Sequence, residues 1–548
     1  MTRGAWTATL AGALLAALGF WLVWHYGHRG MMILDHSIVF DGGYRVYLGQ
    51  TYYKDFYAAY MPGALWVQAL AFHLFGVNFT AMVLPAAILN GIGVALVMRL
   101  IWVLLPGFWT PPAAGGLLTA VWFQAPYGAV MHEQLAFFAC LVALWVIVEA
   151  TVPNGLLERW SGVGHVLGGM CVVAAVLCKQ NAGGLTGLLV AAVVVTGALP
   201  QWRLLVRRLV WLGLGVVAGL APFLVWVRFV SDWKQFVTHA ILTPLSLGGE
   251  RVPQTLPKVA KMLSTLDWVA FPVVAVSCAV WLVSALGLVF ALRRGQDLGL
   301  RLASLLGPGL LVFMAIFRRT ALNDDENSLP FVGLALGLAV GVLFYLFWGR
   351  EVTLKVWDEE TRLGKWTVRF GTAVPVAILG AFLLRTGHEA VSSRRVHEFD
   401  SSTRFTGALT IPRAARVVWG DPTLAAKGVF VTRQQFEELY SYLASRPGNF
   451  LVHNDATILY GLVGRTPPQP LLFFLEGHTF RKVDIPQLDG EILEGLQRND
   501  VRTIVVEDAS FLKQTPPLET FPRVGEWFHS QFRLVRKIGN YQLWERVG

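Results

Sequence analysis

Four short polar segments interrupt the apolar stretches of this 548-residue chain and hold the side chains best suited to chemistry: residues 31–62, 132–134, 179–181 and 318–330. The first contains Asp35, Asp41 and Asp55 among many tyrosines. The others contribute a glutamate, a lysine and a pair of arginines. A carboxylate can take the proton from an attacking hydroxyl, and a fixed cation can stabilise a phosphate as it leaves. These groups can act together only if the elements between them bring the segments to one place.

The composition predicts an integral membrane protein. The chain is 55% apolar and only 15% charged, and its 21 tryptophans suit the two interfaces of a bilayer. Its net charge of +10 comes largely from basic clusters between apolar stretches, such as residues 203–208 and 293–301. That distribution is typical of cytoplasmic membrane loops, so we expect contact with membrane lipids and no nucleic-acid partner.

The hydropathy pattern predicts about eleven membrane-spanning helices, since each needs about 20 apolar residues. The N-terminal stretch reads as an uncleaved first span rather than a signal peptide. The predicted spans lie near residues 6–26, 64–104, 112–130, 135–151, 163–178, 182–200, 209–230, 267–292, 302–317, 331–349 and 367–385. The excess of Lys and Arg in alternate loops favours a cytoplasmic N-terminus. All four polar segments and the C-terminal tail then face the outside.

The character of the chain changes near residue 386, where charges mix and apolar stretches shorten. Predicted strands alternate with predicted helices in this tail, at residues 449–453, 455–464, 489–499 and 501–508. This alternation predicts a small α/β domain. The fold class is therefore an all-α polytopic bundle over 1–385, with a first outer loop at 27–63, followed by an extracytoplasmic α/β domain over 386–548.

The cysteines and the missing motifs argue against several classes of function. The four cysteines lie in or at the ends of apolar stretches without a CxxC spacing, so we expect buried thiols rather than disulfides or metal ligands. The sequence contains no Walker loop, no GxGxxG after a strand and no HExxH, which argues against ATP-driven transport and zinc proteolysis. No metal site or cofactor is predicted, although His132 and Glu133 leave a divalent cation open.

The residues after the first predicted span follow a recognisable order. Asp35 lies eighteen residues before the YKDF step at 53–56, Pro62 follows, and an amphipathic helix ends at LFG (74–76). This order resembles the first outer loop of the GT-C glycosyltransferases, multispan enzymes that use polyprenyl-phosphate-linked sugars and include protein O-mannosyltransferases and aminoarabinose transferases. This register matches Asp35 to the catalytic acid of the family. Asp41 remains the alternative because it begins DGGY, which also looks like an Asp-initiated motif.

The other polar segments fit the same resemblance. Glu133 matches an acidic residue that the family often has at the start of the fourth span, and Lys179 and Gln180 match its K-[QG]-x-G step. Residues 317–330 resemble a late loop with arginine, although Asn327 stands where the family often has histidine. In the tail, residues 459–470 look like a segment common in the periplasmic tails of such enzymes.

The resemblance implies an inverting transfer with Asp35 as general base and Glu133 as a second base, an acceptor-binding group or a metal ligand. The remaining candidates bind substrate, with the cations on the lipid phosphate and the aromatic rings on sugar faces: Tyr53, Asp55, Tyr60, His132, Lys179, Gln180, Arg318 and Arg319. The partners would be a polyprenyl-phosphate-sugar donor and a glycan, lipid or protein acceptor at the outer face of a bacterial inner membrane. The enzyme would be a hexosyl- or pentosyltransferase.

Simpler interpretations of the same residues remain open. Lys179 can reach the interface only to solvate its charge, and Glu133 can cap the helix of the fourth span. The two arginines can anchor a helix end, and the tyrosines can belong to an interfacial belt. Two other functions also remain: a polytopic transporter or flippase of lipid-linked sugars, and a non-catalytic envelope assembly protein. A transporter predicts repeated halves and broken helices at mid-membrane, and neither is evident in the sequence.

Overall fold

We describe the protein from a computed structural model. It describes residues 3–31, 33–124, 128–199, 201–246, 271–293, 298–321, 330–348, 404–421, 431–453, 455–476, 479–508 and 516–547. The predicted boundary between residues 385 and 386 and the predicted span 367–385 lie outside these ranges. Asn327 in the fourth polar segment lies outside them too.

The N-terminal part is a bundle of helices. Its helices are α1 Arg3–Gly27, α2 Ile33–Tyr47, α3 Gly63–Phe75, α4 Thr80–Leu104, α5 Thr110–Trp122, α6 His132–Thr151, α7 Ser161–Cys178, α8 Gln180–Ala198, α9 Trp202–Phe229, α10 Trp233–Phe236 with a π-helical continuation Val237–Leu242, α11 Phe271–Arg293, α12 Leu298–Ala321 and α13 Val332–Trp348. Each predicted span between residues 6 and 349 coincides with one of these helices, although α5 ends well before residue 130 and the stretch 64–104 divides into α3 and α4.

In the described part of the chain, seven helices are long and apolar enough to cross a membrane, and three shorter apolar helices accompany them. The bundle packs α1 against α4 and α5, α6 against α7 and α8, and α12 against α8, α11 and α13. Helix α9 packs along α7 and leaves much of its apolar surface exposed, as expected of a helix that faces lipid. The protein is therefore a polytopic membrane bundle.

The first outer loop contains a helix that hydropathy did not reveal. Helix α2 begins just after α1, and most of its residues are buried although its sequence mixes apolar and charged side chains. It packs against α3 and against a helix of the C-terminal part. The first outer loop thus contains a buried helix that packs between the bundle and the tail.

The C-terminal part contains six strands and four helices in the described residues, and the predicted strands and helices of the tail are among them. The strands are β1 Arg404–Ala408, β2 Val418–Asp421, β3 Asn449–His453, β4 Val501–Glu507, β5 Phe532–Ile538 and β6 Tyr541–Arg546, and the helices are α14 Arg433–Ser445, α15 Ile458–Val463, α16 Ile485–Arg498 and α17 Pro522–Gln531. β1 and β2 form an antiparallel pair, and the other strands form a sheet in the order β3-β4-β6-β5. Among the strands of the described residues, only β3 and β4 pair in parallel, because α15 and α16 connect them.

Backbone hydrogen bonds attach the C-terminal part to the bundle. The β2 residue Val418 donates to the carbonyl of His28 at 2.7 Å and accepts from the amide of Gly30 at 2.7 Å. The amide of Phe79, just before α4, donates to the carbonyl of Arg413 at 2.8 Å. The amide of Ile458 donates to Ser37 Oγ in α2 at 3.2 Å. The tail therefore covers the end of the bundle at which α1 ends and α4 begins.

Candidate active site

The described residues of the polar segments lie at one end of the bundle. Gln180 Nε2 donates to the carbonyl of Ala59 in the first outer loop at 3.4 Å, which joins the Lys179 segment to that loop. The ring of Phe137, in the second turn of α6, lies 4.8 Å from the ring of Phe317 and 5.7 Å from that of Phe331. These two phenylalanines flank the arginine-containing segment. The prediction that these segments face the outside of the membrane stays a prediction.

Gly63 allows helix α3 to lie close to helix α7. Gly63 begins α3 directly beside the last turn of α7, and a Cβ atom at this position would lie 2.6 Å from the carbonyl oxygen of Leu177. Real Cβ atoms do not come so close to a backbone oxygen, so a larger residue would push α3 away. The glycine therefore sets the first outer loop next to Lys179.

Lys179 and Glu133 form an ion pair. Lys179 lies in extended conformation at the break between α7 and α8, and Glu133 lies in the first turn of α6. Lys179 Nζ is 2.5 Å from Glu133 Oε1, and the two side chains are 15% and 11% exposed. Each charge is thus compensated by the other, and neither side chain is fully buried.

Tyr60 covers this ion pair. Lys179 Nζ lies 5.1 Å from the centre of the Tyr60 ring, close enough for a cation–π interaction. The Tyr60 ring also lies 4.7 Å from the His132 ring, with an angle of 30° between the planes. Four of the predicted residues, from three separate segments, therefore form one cluster, and Gln180 lies next to it.

The rest of the loop around Tyr60 is held by the hydroxyls of two other tyrosines. Tyr52 and Tyr53 donate to the carbonyl of Tyr60 at 3.1 and 2.7 Å. Both side chains are buried, and Tyr53 adopts a φ of 64°, which is uncommon for a bulky residue. Asp55 lies on the exposed surface, where its carboxylate accepts from the amide of Thr51 at 2.7 Å. Tyr53 and Asp55 thus shape the loop.

Asp35 and Asp41, the two candidate bases, differ in their surroundings within α2. Asp35 lies in the first turn and is half-buried. Asp41 is fully buried, and Arg45 Nε donates to its Oδ2 atom at 3.0 Å. Burial raises the pKa of Asp41 to about 6, although the Arg45 guanidinium opposes this shift. A carboxylate already held by an arginine is less suited to take a proton from a substrate, which argues against Asp41 as the base.

Arg318 and Arg319 belong to the last turns of α12, beside Phe317. Their side chains and residues 322–329 lie outside the described part of the structure. Phe317 contacts α6 four residues after Glu133, so the backbone of this arginine pair lies at the same end of the bundle as Lys179. The predicted role of the arginines on phosphate stays a prediction.

Polar atoms at the start of α6 are buried without a hydrogen bond among the described residues. They are Nε2 of His132, Oε1 of Gln134 and Oε1 of Gln124, and all three side chains are at least nine-tenths buried. Gln124 Nε2 donates to the carbonyl of Gln134 at 3.3 Å, so two of these residues are neighbours. Buried polar atoms of this kind are suited to hydroxyl groups of a ligand. Within the described ranges, no three His, Cys, Asp or Glu side chains form a metal site.

Sequence reasoning missed a second set of residues, which joins the loop to the tail. Arg45 Nη1 donates to the carbonyl of Gln469 at 2.7 Å, and Tyr57 donates to Glu491 Oε2 at 2.5 Å. The Tyr57 ring stacks on His239 at 4.2 Å, and burial lowers the pKa of His239 to about 4. In each of these pairs the two partners lie far apart in the chain, so no local sequence pattern connects them.

Comparisons with known proteins identify the fold. No protein-family model matches the chain, and no curated protein sequence matches it. Solved structures with the same architecture include the crystal structures of the aminoarabinose transferase ArnT from Cupriavidus metallidurans, bound to undecaprenyl phosphate and in the apo state. Each has a TM-score of 0.52 and 14% sequence identity, and the match covers 100% of this chain and 99% of that chain. The chain has a GT-C-type fold.

The GT-C-type fold confirms the prediction of a helical membrane bundle followed by a strand-containing C-terminal part. The match extends over both the helical bundle and the strand-containing tail, so the tail is part of the shared architecture. The first outer loop, the starts of α6 and α8 and the tail surround the Lys179–Glu133 pair in this fold.

Proposed function

We propose that this protein is a membrane glycosyltransferase that moves a sugar from a polyprenyl-phosphate-linked donor to a hydroxyl of an acceptor. The observation that carries this proposal is the Lys179–Glu133 ion pair under the Tyr60 ring, at the loop end of a GT-C-type bundle. A structure with this fold, ArnT, was solved with undecaprenyl phosphate bound. A lysine that is nearly buried in a polar cluster is suited to a phosphate headgroup of this kind.

Asp35 would act as the general base of an inverting transfer. The acceptor hydroxyl attacks the anomeric carbon, its proton passes to the Asp35 carboxylate, and the bond from this carbon to the phosphate oxygen breaks. The phosphate then carries the additional negative charge. Lys179, together with Arg318 and Arg319, would stabilise that charge. The half-buried position of Asp35 and the neutralisation of Asp41 by Arg45 support this assignment of the base.

The remaining cluster would recognise the sugars. Tyr60 offers a ring face, and His132 and Gln180 offer polar atoms beside the ion pair. Glu133 would hold an acceptor hydroxyl or serve as a second base once a phosphate binds Lys179. The acceptor would be a glycan, a lipid or a protein, and the transferred group a hexose or a pentose.

We propose the same membrane arrangement that the loop charges predict. The N-terminus would lie in the cytoplasm of a bacterium, the bundle over 1–385 in the inner membrane, and the domain over 386–548 in the periplasm. The donor would then enter from the outer leaflet toward the Lys179–Glu133 pair. Labelling of a single cysteine at position 55, which is exposed, in intact and in permeabilised cells would test this arrangement. Labelling only after permeabilisation of the inner membrane would contradict it.

Binding of undecaprenyl phosphate to the purified full chain in detergent tests the donor class. A ligand that binds only the folded protein raises the thermal transition, so undecaprenyl phosphate is expected to raise it and undecaprenol is not. The double variant Lys179→Gln/Glu133→Gln removes both charges of the pair together and should abolish the rise. The control Arg99→Gln/Glu149→Gln removes an ion pair at the other end of α6, about 24 Å away along the helix axis, and should keep it. Equal rises with both lipids would contradict the proposal.

A further inference from the structure

The C-terminal tail contributes to the cluster around Lys179. Residues 469–473 leave helix α15 and run alongside the first outer loop. The amide of Tyr57 donates to the carbonyl of Pro470 at 2.9 Å, and the amide of Leu472 donates to the carbonyl of Tyr57 at 3.3 Å. The Arg45 guanidinium, itself fully buried, donates to the carbonyls of Gln469 and Leu471 at 2.7 and 3.4 Å. This stretch of the tail is therefore fixed to the loop along its length.

This attachment brings Phe473 against Tyr60. The two ring centres are 6.2 Å apart with an angle of 25° between the planes, and Phe473 is 3% exposed. Tyr60 in turn lies against His132 and over Lys179 Nζ. The next residue, Phe474, has a different environment, because its ring contacts His453 and Phe521 inside the C-terminal part. Phe473 therefore packs against the Tyr60 ring, whereas Phe474 packs inside the C-terminal part.

We propose that Phe473 is a positioning residue of the phosphate site and acts by holding the Tyr60 ring over Lys179. This inference rests on the proposed function, since it assigns to the tail a part in donor binding. The backbone of Tyr60 is held by the hydroxyls of Tyr52 and Tyr53, and its ring packs between His132 and Phe473. A cation–π contact of a partly buried ammonium contributes about 1–2 kcal/mol. Its loss corresponds to about a five- to thirtyfold change in an equilibrium constant.

The test compares matched variants of adjacent residues in the full-length protein. Undecaprenyl phosphate affinity is measured by titration of the thermal shift in wild type, Phe473→Leu and Phe474→Leu. We expect Phe473→Leu to weaken the affinity about fivefold or more, and Phe474→Leu to lower the transition temperature while leaving the affinity within twofold. Phe473→Tyr keeps the ring and should retain wild-type affinity, and Phe473→Met conserves volume if the leucine variant does not fold. Equal affinities in the Phe473→Leu, Phe473→Met and wild-type proteins would overturn the proposal.

A double-variant cycle tests whether the effect passes through Tyr60. In a Tyr60→Leu background, Phe473→Leu should weaken binding no further, because the ring it positions is gone. An undiminished effect in that background would show that Phe473 acts by another route and would overturn the proposal. The wild-type titration distinguishes a failure of the proposed function from a failure of the role proposed for Phe473. Absence of binding to wild type refutes the proposed function and this inference with it, whereas wild-type binding with an unaffected Phe473→Leu variant refutes this inference alone.

Discussion

Lys179 Nζ lies 2.5 Å from Glu133 Oε1, so two residues that sequence reasoning considered separately are partners. Glu133 was expected either to cap α6 or to act on substrate, and Lys179 either to solvate its charge at the interface or to bind phosphate. The ion pair explains how both charges stay at a nearly buried position without substrate. In the proposed function, an incoming phosphate replaces the Glu133 carboxylate as the partner of the Lys179 ammonium.

Removal of one partner of this pair should destabilise the protein far more than removal of both. Lys179→Met leaves the Glu133 carboxylate uncompensated at a nearly buried position, which costs about 3–5 kcal/mol in buried pairs. Lys179→Met/Glu133→Gln should recover most of that loss. Thermal unfolding in detergent measures both variants. Similar transition temperatures for the single and the double variant would contradict the ion pair.

Substitution of Asp35 should lower the rate of transfer, whereas substitution of Asp41 should lower the stability. Asp35→Asn removes the proposed base and should lower the rate of sugar transfer about a hundredfold or more, with undecaprenyl phosphate binding preserved. Asp41→Asn leaves the buried Arg45 guanidinium without its carboxylate and should lower the thermal stability instead. Transfer measured alongside the thermal transition distinguishes the two. Full transfer by Asp35→Asn would remove this residue from the mechanism.

The hydrogen bond between Tyr57 and Glu491 should hold the loop against the tail. Tyr57→Phe removes one bond to a charged group, worth about 1.5–3 kcal/mol. We expect faster hydrogen exchange of amides in residues 52–61, with exchange in α6 unchanged. Glu494→Gln on the same helix α16 is the control, because Glu494 pairs on the surface with Arg498 and both side chains are about 70% exposed. Equal exchange in the loop of both variants would exclude this role.

Addition of one methyl group should distinguish two glycines near Lys179. Gly63→Ala places a Cβ atom against the Leu177 carbonyl and should lower the free energy of unfolding by about 1–3 kcal/mol. Gly184→Ala, in α8, meets no atom within 4 Å and should leave the stability unchanged or raise it by up to about 1 kcal/mol. Thermal unfolding of the two variants provides the comparison. A stable Gly63→Ala protein would show that α3 and α7 are less closely packed.

Acid should destabilise the C-terminal part through His453. Burial lowers the pKa of His453 to about 4 from its ordinary value of 6.5, so the unfolded chain binds a proton between these pH values that the folded protein does not. The stability contribution is therefore complete above pH 6.5 and declines as the pH falls toward 4. His453→Phe should reduce the fall of the transition temperature between pH 7.5 and 5. His529→Asn, at an exposed histidine, serves as the control and should follow wild type.

The sequence by itself determined most helices of the bundle and several elements of the tail. Apolar stretches long enough for a bilayer fixed the helices of the bundle, because only helices satisfy their own backbone groups in lipid. The breaks between those stretches marked the polar segments that carry Glu133 and Lys179. In the tail, the sequence predicted the alternating strands and helices β3, α15, α16 and β4. The hairpin of β5 and β6 escaped because the outward side chains of β5 include apolar residues, such as Leu534 and Val535, that obscure the alternation.

Only the tertiary structure decided which of the candidate residues share an environment. It brought His132, Glu133, Lys179 and Tyr60 together, put Asp55 on the surface, and paired Asp41 with Arg45. It also revealed α2 and the contacts of the loop with residues 469–473. The physical reason is that these contacts join positions far apart in the chain. A local pattern reports the period and length of an element, whereas long-range pairing depends on how the elements pack.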